Sequence, residues 1–418
     1  MPRRFVLLIA IACVFFVRAI DLFAAEPLTL KEALSRALAY APAAEIASAQ
    51  IDLADATVRE ARAPLFPSIA ANGDYTQAPG YDETITNRGL TLAQLGLDYT
   101  VLDGGKRAAQ LKAARYADEA AKLGLNATHA QIIFATTVAY FDLLRARGAV
   151  SELERSLDRL SQYLAIIENL RHSGRAIAND VLKIRSAHDS TELALASAKQ
   201  TTEQAGILLA ALIGEPGHSD IPLEEVSSLP ALPDGHIESS PVFKAAQRQV
   251  DAAGMAVAAA RAEAAPTFKL ALTSGWEGID PPKTFGHHLG ASYDGMVNVP
   301  IFQGGLVNAH IDQAKATQHA ALAQVRQIQI DLQRQLADAT ARYRTAREQL
   351  TILDRSQTTA DDAFALAWTR FLGGGNITLL EVMDAYQQAQ NLRFARFDYR
   401  FASQQATAEA TMILGAEQ

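Results

Sequence analysis

Cysteine is all but missing from this chain: Cys13 is its only one, and it lies in the apolar N-terminal stretch. If that stretch is removed on export, no thiol remains, which excludes disulfides and cysteine metal sites and leaves burial alone to stabilise the fold. Aromatic residues make up only 7% of the sequence, too few for a compact mixed core of this length. Past the N-terminus there is no apolar run of the length a membrane helix needs. A net charge of −8 argues against nucleic acid as a partner. The serines lack Gly-x-Ser-x-Gly surroundings, no phosphate loop exists, and the glycines Gly373 to Gly375 follow a helical pattern instead of a strand, so an enzyme is not expected. His287 and His288, with His218 and His236, fall in polar loops without cysteines or a helical histidine pattern, so neither a metal nor a cofactor is expected.

Alanine, helical periodicity and an export signal are what the chain does have. Arg3 and Arg4 form the basic start of a signal peptide over residues 1–25, Phe5 to Val17 its apolar part, and Ala24-Ala25 the small residues before Glu26. Ala10-Ile11-Ala12 ahead of Cys13 faintly suggests lipidation, but Val14 to Val17 directly after it is what a signal core looks like.

The two halves of the sequence repeat. Ala61-Arg62-Ala63 with Pro67 recurs as Ala260-Arg261-Ala262 with Pro266, at an offset of 199. Val101-Leu102-Asp103-Gly104-Gly105 recurs as Ile301-Phe302-Gln303-Gly304-Gly305, at 200. Gly174 with Asp180-Val181-Leu182 recurs as Gly375 with Glu381-Val382-Met383, at 201. A duplication follows, with repeats over 26–214 and 237–418 and a Pro, Gly and acid-rich connector over 215–236.

Each repeat opens on a helical pattern, Leu30 to Arg62 and about Ile237 to Ala262, and leaves it at a proline. Period-two alternation follows, with Ile69, Ala71 and Tyr75, then Ala93 to Val101, then Phe268, Leu270, Leu272 and Trp276, then Leu289 to Ile301 carrying apolar residues on one face. These are four strands of about ten residues, the span of a tilted membrane strand. The polar loops Ala78 to Arg88 and Ile279 to His288 join them in pairs. After Gly105 and Gly305 the pattern stays helical for about 65 residues, roughly 100 Å at helical rise, and returns over Ile177 to Ile213 and Ile377 to Leu414.

Four amphipathic strands leave unpaired edges in lipid, so copies must join to close the sheet. A dimer would be filled by side chains, and a trimer of twelve strands is the first that holds water. The signal peptide, the duplicated halves, the Gly-Gly helix starts in Leu102-Asp103-Gly104-Gly105 and Pro300-Ile301-Phe302-Gln303-Gly304-Gly305, and the glycine-bearing helix tips resemble the TolC-like outer-membrane efflux family. The resemblance implies a membrane α+β fold: four strands per chain in a trimeric transmembrane β-barrel, continued by a long periplasmic antiparallel coiled-coil helical barrel. It also implies a homotrimer set in outer-membrane lipid, with a periplasmic adaptor and an inner-membrane pump as partners.

The strand-to-helix turns then fall at Gly104, Gly105, Gly304 and Gly305. Gly174, Arg175, Gly373, Gly374 and Gly375 mark helix tips, either as simple caps or, as the resemblance implies, as the surface facing the adaptor. Asp180, Glu381 and Asp384 lie just inside those tips. Threefold repetition would make them an acidic ring at a narrow entrance, which the resemblance supports; as solitary residues they serve a helix N-terminus equally well. Ile377 stands where some relatives carry a linking basic residue. Tyr99, Tyr293 and Trp276, with Tyr75, are candidates for the membrane-interface belt. The reading is a passive export duct for small molecules such as drugs. A duct for secreted proteins and a periplasmic coiled-coil tether without a channel are the alternatives.

Overall fold

The computed structural model describes residues 27–226, 230–279 and 289–415. The signal stretch with Cys13, and His287 with His288, lie outside them. The described chain forms α1 (Leu30–Tyr40), α2 (Pro42–Arg62), β1 (Ser68–Gln77), α3 (Glu83–Thr86), β2 (Gly89–Leu102), α4 (Lys106–His172) and α5 (Ala178–Leu212). The second half gives α6 (Pro241–Ala262), β3 (Thr267–Ile279), β4 (Leu289–Asn298), α7 (Leu306–Leu372) and α8 (Leu379–Leu414). Apart from the break between α1 and α2 and the short α3, the order of elements is the same in both halves.

Helices α4 and α7 each run for 67 residues. Neither contains proline, the residue that removes a ladder donor and kinks a helix. Among the described residues no helix is long and apolar enough to cross a membrane. The unbroken helix expected from Leu30 to Arg62 is instead two. Ala41 is extended, with ψ 115°, because a residue followed by proline is pushed out of the helical region, and Pro42 then starts the next helix at a position that needs no N–H donor. The second copy enters through a 3₁₀ turn at Ile237–Ser239, and its helix likewise starts on a proline, Pro241.

Two compact units share the chain. The first takes the described parts of Met1–Ala41, Ile132–Leu232 and Thr340–Ala408. One of its cores joins Ala33 and Ala37 of α1 to Tyr140 and Leu143 of α4 and Leu209 of α5. Leu28 bridges Leu223 of the connector beside this core, and the fully buried Tyr140 hydroxyl lies 2.9 Å from the carbonyl oxygens of both Leu28 and Glu224. A second core lies next to the helix turns, where Val181 and Val382, equivalent in the two copies, are buried with Ile167, Ile184 and Leu379. Burying such a side chain contributes about 1.5–3 kcal/mol, so both return helices are anchored at their first turn.

Pro42–Gln131, Pro233–Ala339 and the described part of Glu409–Gln418 make the second unit. It holds the sheet, four antiparallel strands in the order β1-β2-β3-β4, and a small core of Ile237, Phe243, Leu332 and Ile413. Two local expectations fail here. The loop from Ala78 to Arg88 contains the turn of helix α3, capped by the Asp82 carboxylate on the Thr84 N–H at 2.9 Å. Strand β4 stops at Asn298, leaving Val299 and Ile301 off the sheet, because Pro300 has no N–H to donate to a ladder.

Candidate functional site

The pairing register decides what each face of the sheet carries. Ile69, Leu97, Leu272 and Tyr293 share one rung, as do Gly73, Ala93, Trp276 and Leu289. All stand on one face, together with Tyr75, Tyr99, Leu95 and Leu270. The next rung belongs to the other face and runs Ser68, Asp98, Ala271, Asp294. With it on that face lie Asn72, Gln94, Lys269, Thr273, Glu277 and Ser292, and Thr273 and Ser292 hydrogen-bond across strands at 2.5 Å. The alternation inverts near the loop ends, where Leu90 and Leu92 fall on the polar face and Thr91 on the apolar one, and at the other end, where Met296 pairs with Lys269 on the polar face.

The apolar face is exposed. Ile69, Leu289 and Tyr293 are 74%, 68% and 79% accessible, and nothing among the described residues packs over them. Tyr99 stands near the helix-proximal end of the sheet, Trp276 and Tyr75 near the loop end, and Tyr293, expected at an interface, lies midway along β4. Tyr99 pairs with Leu270 and Tyr75's rung reaches Gly278, so the aromatic levels span about 27 Å along the strands at 3.4 Å per residue.

Both strand-to-helix turns are built alike. Gly104 and Gly105 have φ of +64° and +88°, Gly304 and Gly305 of +61° and +85°, and Lys106 N–H to Asp103 C=O matches Leu306 N–H to Gln303 C=O. Positive φ at successive residues is the reason for the glycine pairs. The first turn has more: the Asp103 carboxylate accepts from the N–H of Gly105 at 3.1 Å and of Arg107 at 3.0 Å, and from the Arg107 guanidinium at 2.7 Å. Burial opposes its charge, but these bonds outweigh burial and hold its pKa below the usual carboxylate range. Asp103 was visible in the sequence only as part of a repeat, and Gln303 in its place hid the capping role.

At the helix tips the turn geometry corrects one equivalence. Gly174 (φ +73°) matches Gly374 (φ +77°), not Gly375. Arg175 N–H reaches back to Leu170 C=O and Gly375 N–H to Arg370 C=O, the same six-residue closure at an offset of 200. The extra residue of the second copy falls after this closure, so Gly375 is the counterpart of Arg175, while Gly373 precedes the left-handed position. The Arg175 guanidinium donates to Leu372 C=O at 2.8 Å and so ties the first tip to the second. Ile377 packs in the apolar cluster beneath them.

The expected acidic ring residues have local partners. Asp180 accepts from the Ile177 N–H at 3.2 Å. Glu381 accepts from the N–H and hydroxyl of Thr378 at 2.7 and 3.0 Å, and the Thr378 hydroxyl accepts in return from the Glu381 N–H at 3.4 Å, a reciprocal capping box. The Thr378 backbone bond, then its hydroxyl, hold the Glu381 carboxyl below its ordinary range. Asp384 accepts from Gln388 at 3.3 Å. Among the described residues the only group able to gather around a cation is His188, Asp189 and Glu192, with ligand atoms within 4.8 Å of one another on one helix; His218 and His236 belong to none.

A family model described as outer membrane efflux protein matches the chain twice, over residues 33–215 and 232–416. The chain belongs to the outer membrane efflux protein family. Relatives include the pyoverdine export outer membrane protein OpmQ of Pseudomonas aeruginosa, 26% identical over 92% of this chain and 85% of its own length, and the outer membrane protein TolC of Escherichia coli, 25% identical over 84% and 76%. Among solved structures, the outer-membrane channel OprN superposes with a TM-score of 0.86 at 21% identity, covering 93% of this chain and 90% of its own. This efflux protein thus has the fold of outer-membrane channels, and its place is the bacterial outer membrane. Its two faces suit that place, since lipid accepts an apolar surface and rejects open strand edges.

Proposed function

We propose that three copies of this efflux protein close their sheets into one twelve-stranded barrel, a passive duct that exports small molecules such as drugs. The observation that carries the reading lies in the sheet. Among the described residues, strands β1 and β4 pair on one side only, and an unpaired edge in hydrocarbon leaves each free N–H and C=O a penalty of several kcal/mol. A neighbouring copy supplies β1 to pair with β4. Gly104 supports the same ring: a Cβ there would come 2.2 Å from the Ala265 side chain, whereas Gly304 has nothing within 4 Å. In a ring, the first-copy segment near Phe66 of the adjacent chain takes the place over Gly304 that Ala265 takes over Gly104.

The polar face then lines the lumen, and the aromatic levels at Tyr99 and Trp276 sit at the two membrane boundaries, with Tyr293 between them. The helix tips at Gly174 and Gly373 to Gly375 meet a periplasmic adaptor, through which an inner-membrane pump supplies energy and selection. The duct itself performs no catalysis. Small-molecule cargo is favoured by the relatives whose names specify pyoverdine and toluene export.

Single-channel conductance of the purified, detergent-extracted protein in planar bilayers, combined with its native mass, tests this. A trimeric mass with a conducting pore is expected. A monodisperse preparation without conductance, or one soluble without detergent, overturns the reading.

A further inference from the structure

We propose that a cavity between α4, the connector and α8 is a binding site for an amphiphilic organic anion, a small apolar body carrying a carboxylate or sulfonate. The cavity holds about 450 Å³, within the range of small-molecule sites, and lies wholly inside the first unit. This goes beyond the export reading and needs only the fold of that unit.

Its walls combine two chemistries. Phe141, Leu144, Leu223, Val226, Phe397 and Phe401 give it apolar surface. Arg145, Arg147, Arg155 and Arg400 line it as well, against one acid, Glu225, which is exposed to water. Four cations facing one anion run against the trend of a chain whose net charge is −8.

Two of the arginines are committed elsewhere. Arg145 pairs with Asp142 and Asp398 and lies over the Phe401 ring at 5.2 Å, and Arg147 pairs with Asp220 at 3.3 Å. The other two are short of negative charge. Arg400 is half-buried, and among the described residues its bond is to a neutral acceptor, the Val226 carbonyl. Arg155 has Glu152 at 3.6 Å, but that single carboxylate is also bonded by Arg159 at 2.8 Å and Arg393 at 3.3 Å. A carboxylate or sulfonate satisfies guanidinium groups with charge-assisted bonds, and the aromatic walls take the apolar body of the ligand.

Gly148 has no visible role other than this cavity. It interrupts the interior of α4, where glycine is unfavourable, and a Cβ there would stand 2.6 Å from the Phe397 ring. The glycine thus lets the Phe397 ring close against α4 as a wall.

The test is calorimetric titration of naphthalene-2-sulfonate into the full-length protein in phosphatidylcholine nanodiscs, beside its uncharged isostere naphthalene-2-sulfonamide. Binding of one sulfonate per chain is expected, about tenfold tighter than the sulfonamide. Arg400→Gln and Arg155→Gln should each weaken the sulfonate severalfold, and Gly148→Ala, which displaces Phe397 without changing charge, should weaken both probes. Absence of binding, or equal affinity for the charged and uncharged probes, overturns the proposal. That comparison is made on the unaltered protein, so it stands even where a variant fails to fold. Conductance plays no part in it, so its failure is separable from failure of the duct.

Discussion

Asp98 and Asp294 stand on one rung of the sheet, one on each side of Ala271. With Asp74 and Glu277 they make four carboxylates on the polar face, against Lys269. If that face lines the lumen, cation preference arises in the barrel. Replacing both Asp98 and Asp294 by Asn should lower the potassium-to-chloride permeability ratio at least fivefold, the factor of ~1 kcal/mol that a single charge exerts at 4 Å in water. Reversal potentials in a salt gradient measure it. Replacing Glu381 and Asp384 by Ala gives the tip contribution separately, and an unchanged ratio in the Asn variant would place selectivity at the tips alone.

Gly104 and Gly304 are equivalent by sequence and by φ, yet their surroundings differ, and the difference can be read out. Alanine at either position incurs the left-handed penalty of about 1–2 kcal/mol. Gly104→Ala adds a collision with Ala265 inside the chain, so it should lower the melting temperature of the monomer. Gly304→Ala has free space in the isolated chain and should instead lower the trimer fraction in native mass spectra. Equal effects on folding and assembly from the two variants would remove the support that Gly304 gives to the ring.

Long-range order was legible in the sequence because it is periodic. The duplication, the four strands with their apolar faces and the two long helical hairpins follow from spacing alone, and the register then stacks Ile69, Leu97, Leu272 and Tyr293 as the alternation requires. What was not legible is local and aperiodic. Pro42 interrupts a helical pattern whose hydrophobic spacing continues across it. The inserted residue at the second tip could not be placed by counting, since the run Gly373 to Gly375 offers three candidates for one left-handed position. The acids at the tips were readable as a ring or as caps. Hydrogen bonds from Ile177 and Thr378 show that Asp180 and Glu381 cap their helices, and the ring is left to the selectivity measurement above. The cavity around Arg400 is formed by segments far apart in sequence, and no motif announces it.

Tyr140 fastens the N-terminal segment and the connector to α4 through one buried hydroxyl. Burial, with the Glu224 charge as a second cause, pushes its pKa up to about 12. A tyrosine whose folded value is raised contributes fully below its unfolded value of 10.0 and loses that contribution as pH rises toward 12. Tyr140→Phe leaves two carbonyl acceptors without this donor and should destabilise the protein by about 1–3 kcal/mol. Denaturant unfolding at pH 8 checks the loss. The difference between wild type and Tyr140→Phe should shrink as the pH passes 10, where the wild-type hydroxyl begins to lose its advantage.

Glu381 works with the opposite sign. Its folded carboxyl titrates below its ordinary value of 4.5, so the capping box is at full strength above that value and weakens as pH falls through the folded pKa. The box closes the first turn of α8, where Leu379 and Val382 are buried against the first hairpin. Thr378→Ala removes the two bonds of the hydroxyl, leaves the backbone N–H bond to the Glu381 carboxylate, and should cost about 1 kcal/mol of local helix stability. Amide hydrogen exchange at Leu379 to Val382 reads it directly, and protection there should fall in acid for wild type but less so for Thr378→Ala. The equivalent amides at the start of α5, where Ile177 stands in place of the threonine, are the comparison. A uniform loss of protection across both tips would mean that acid acts on the shared apolar cluster and not on the cap.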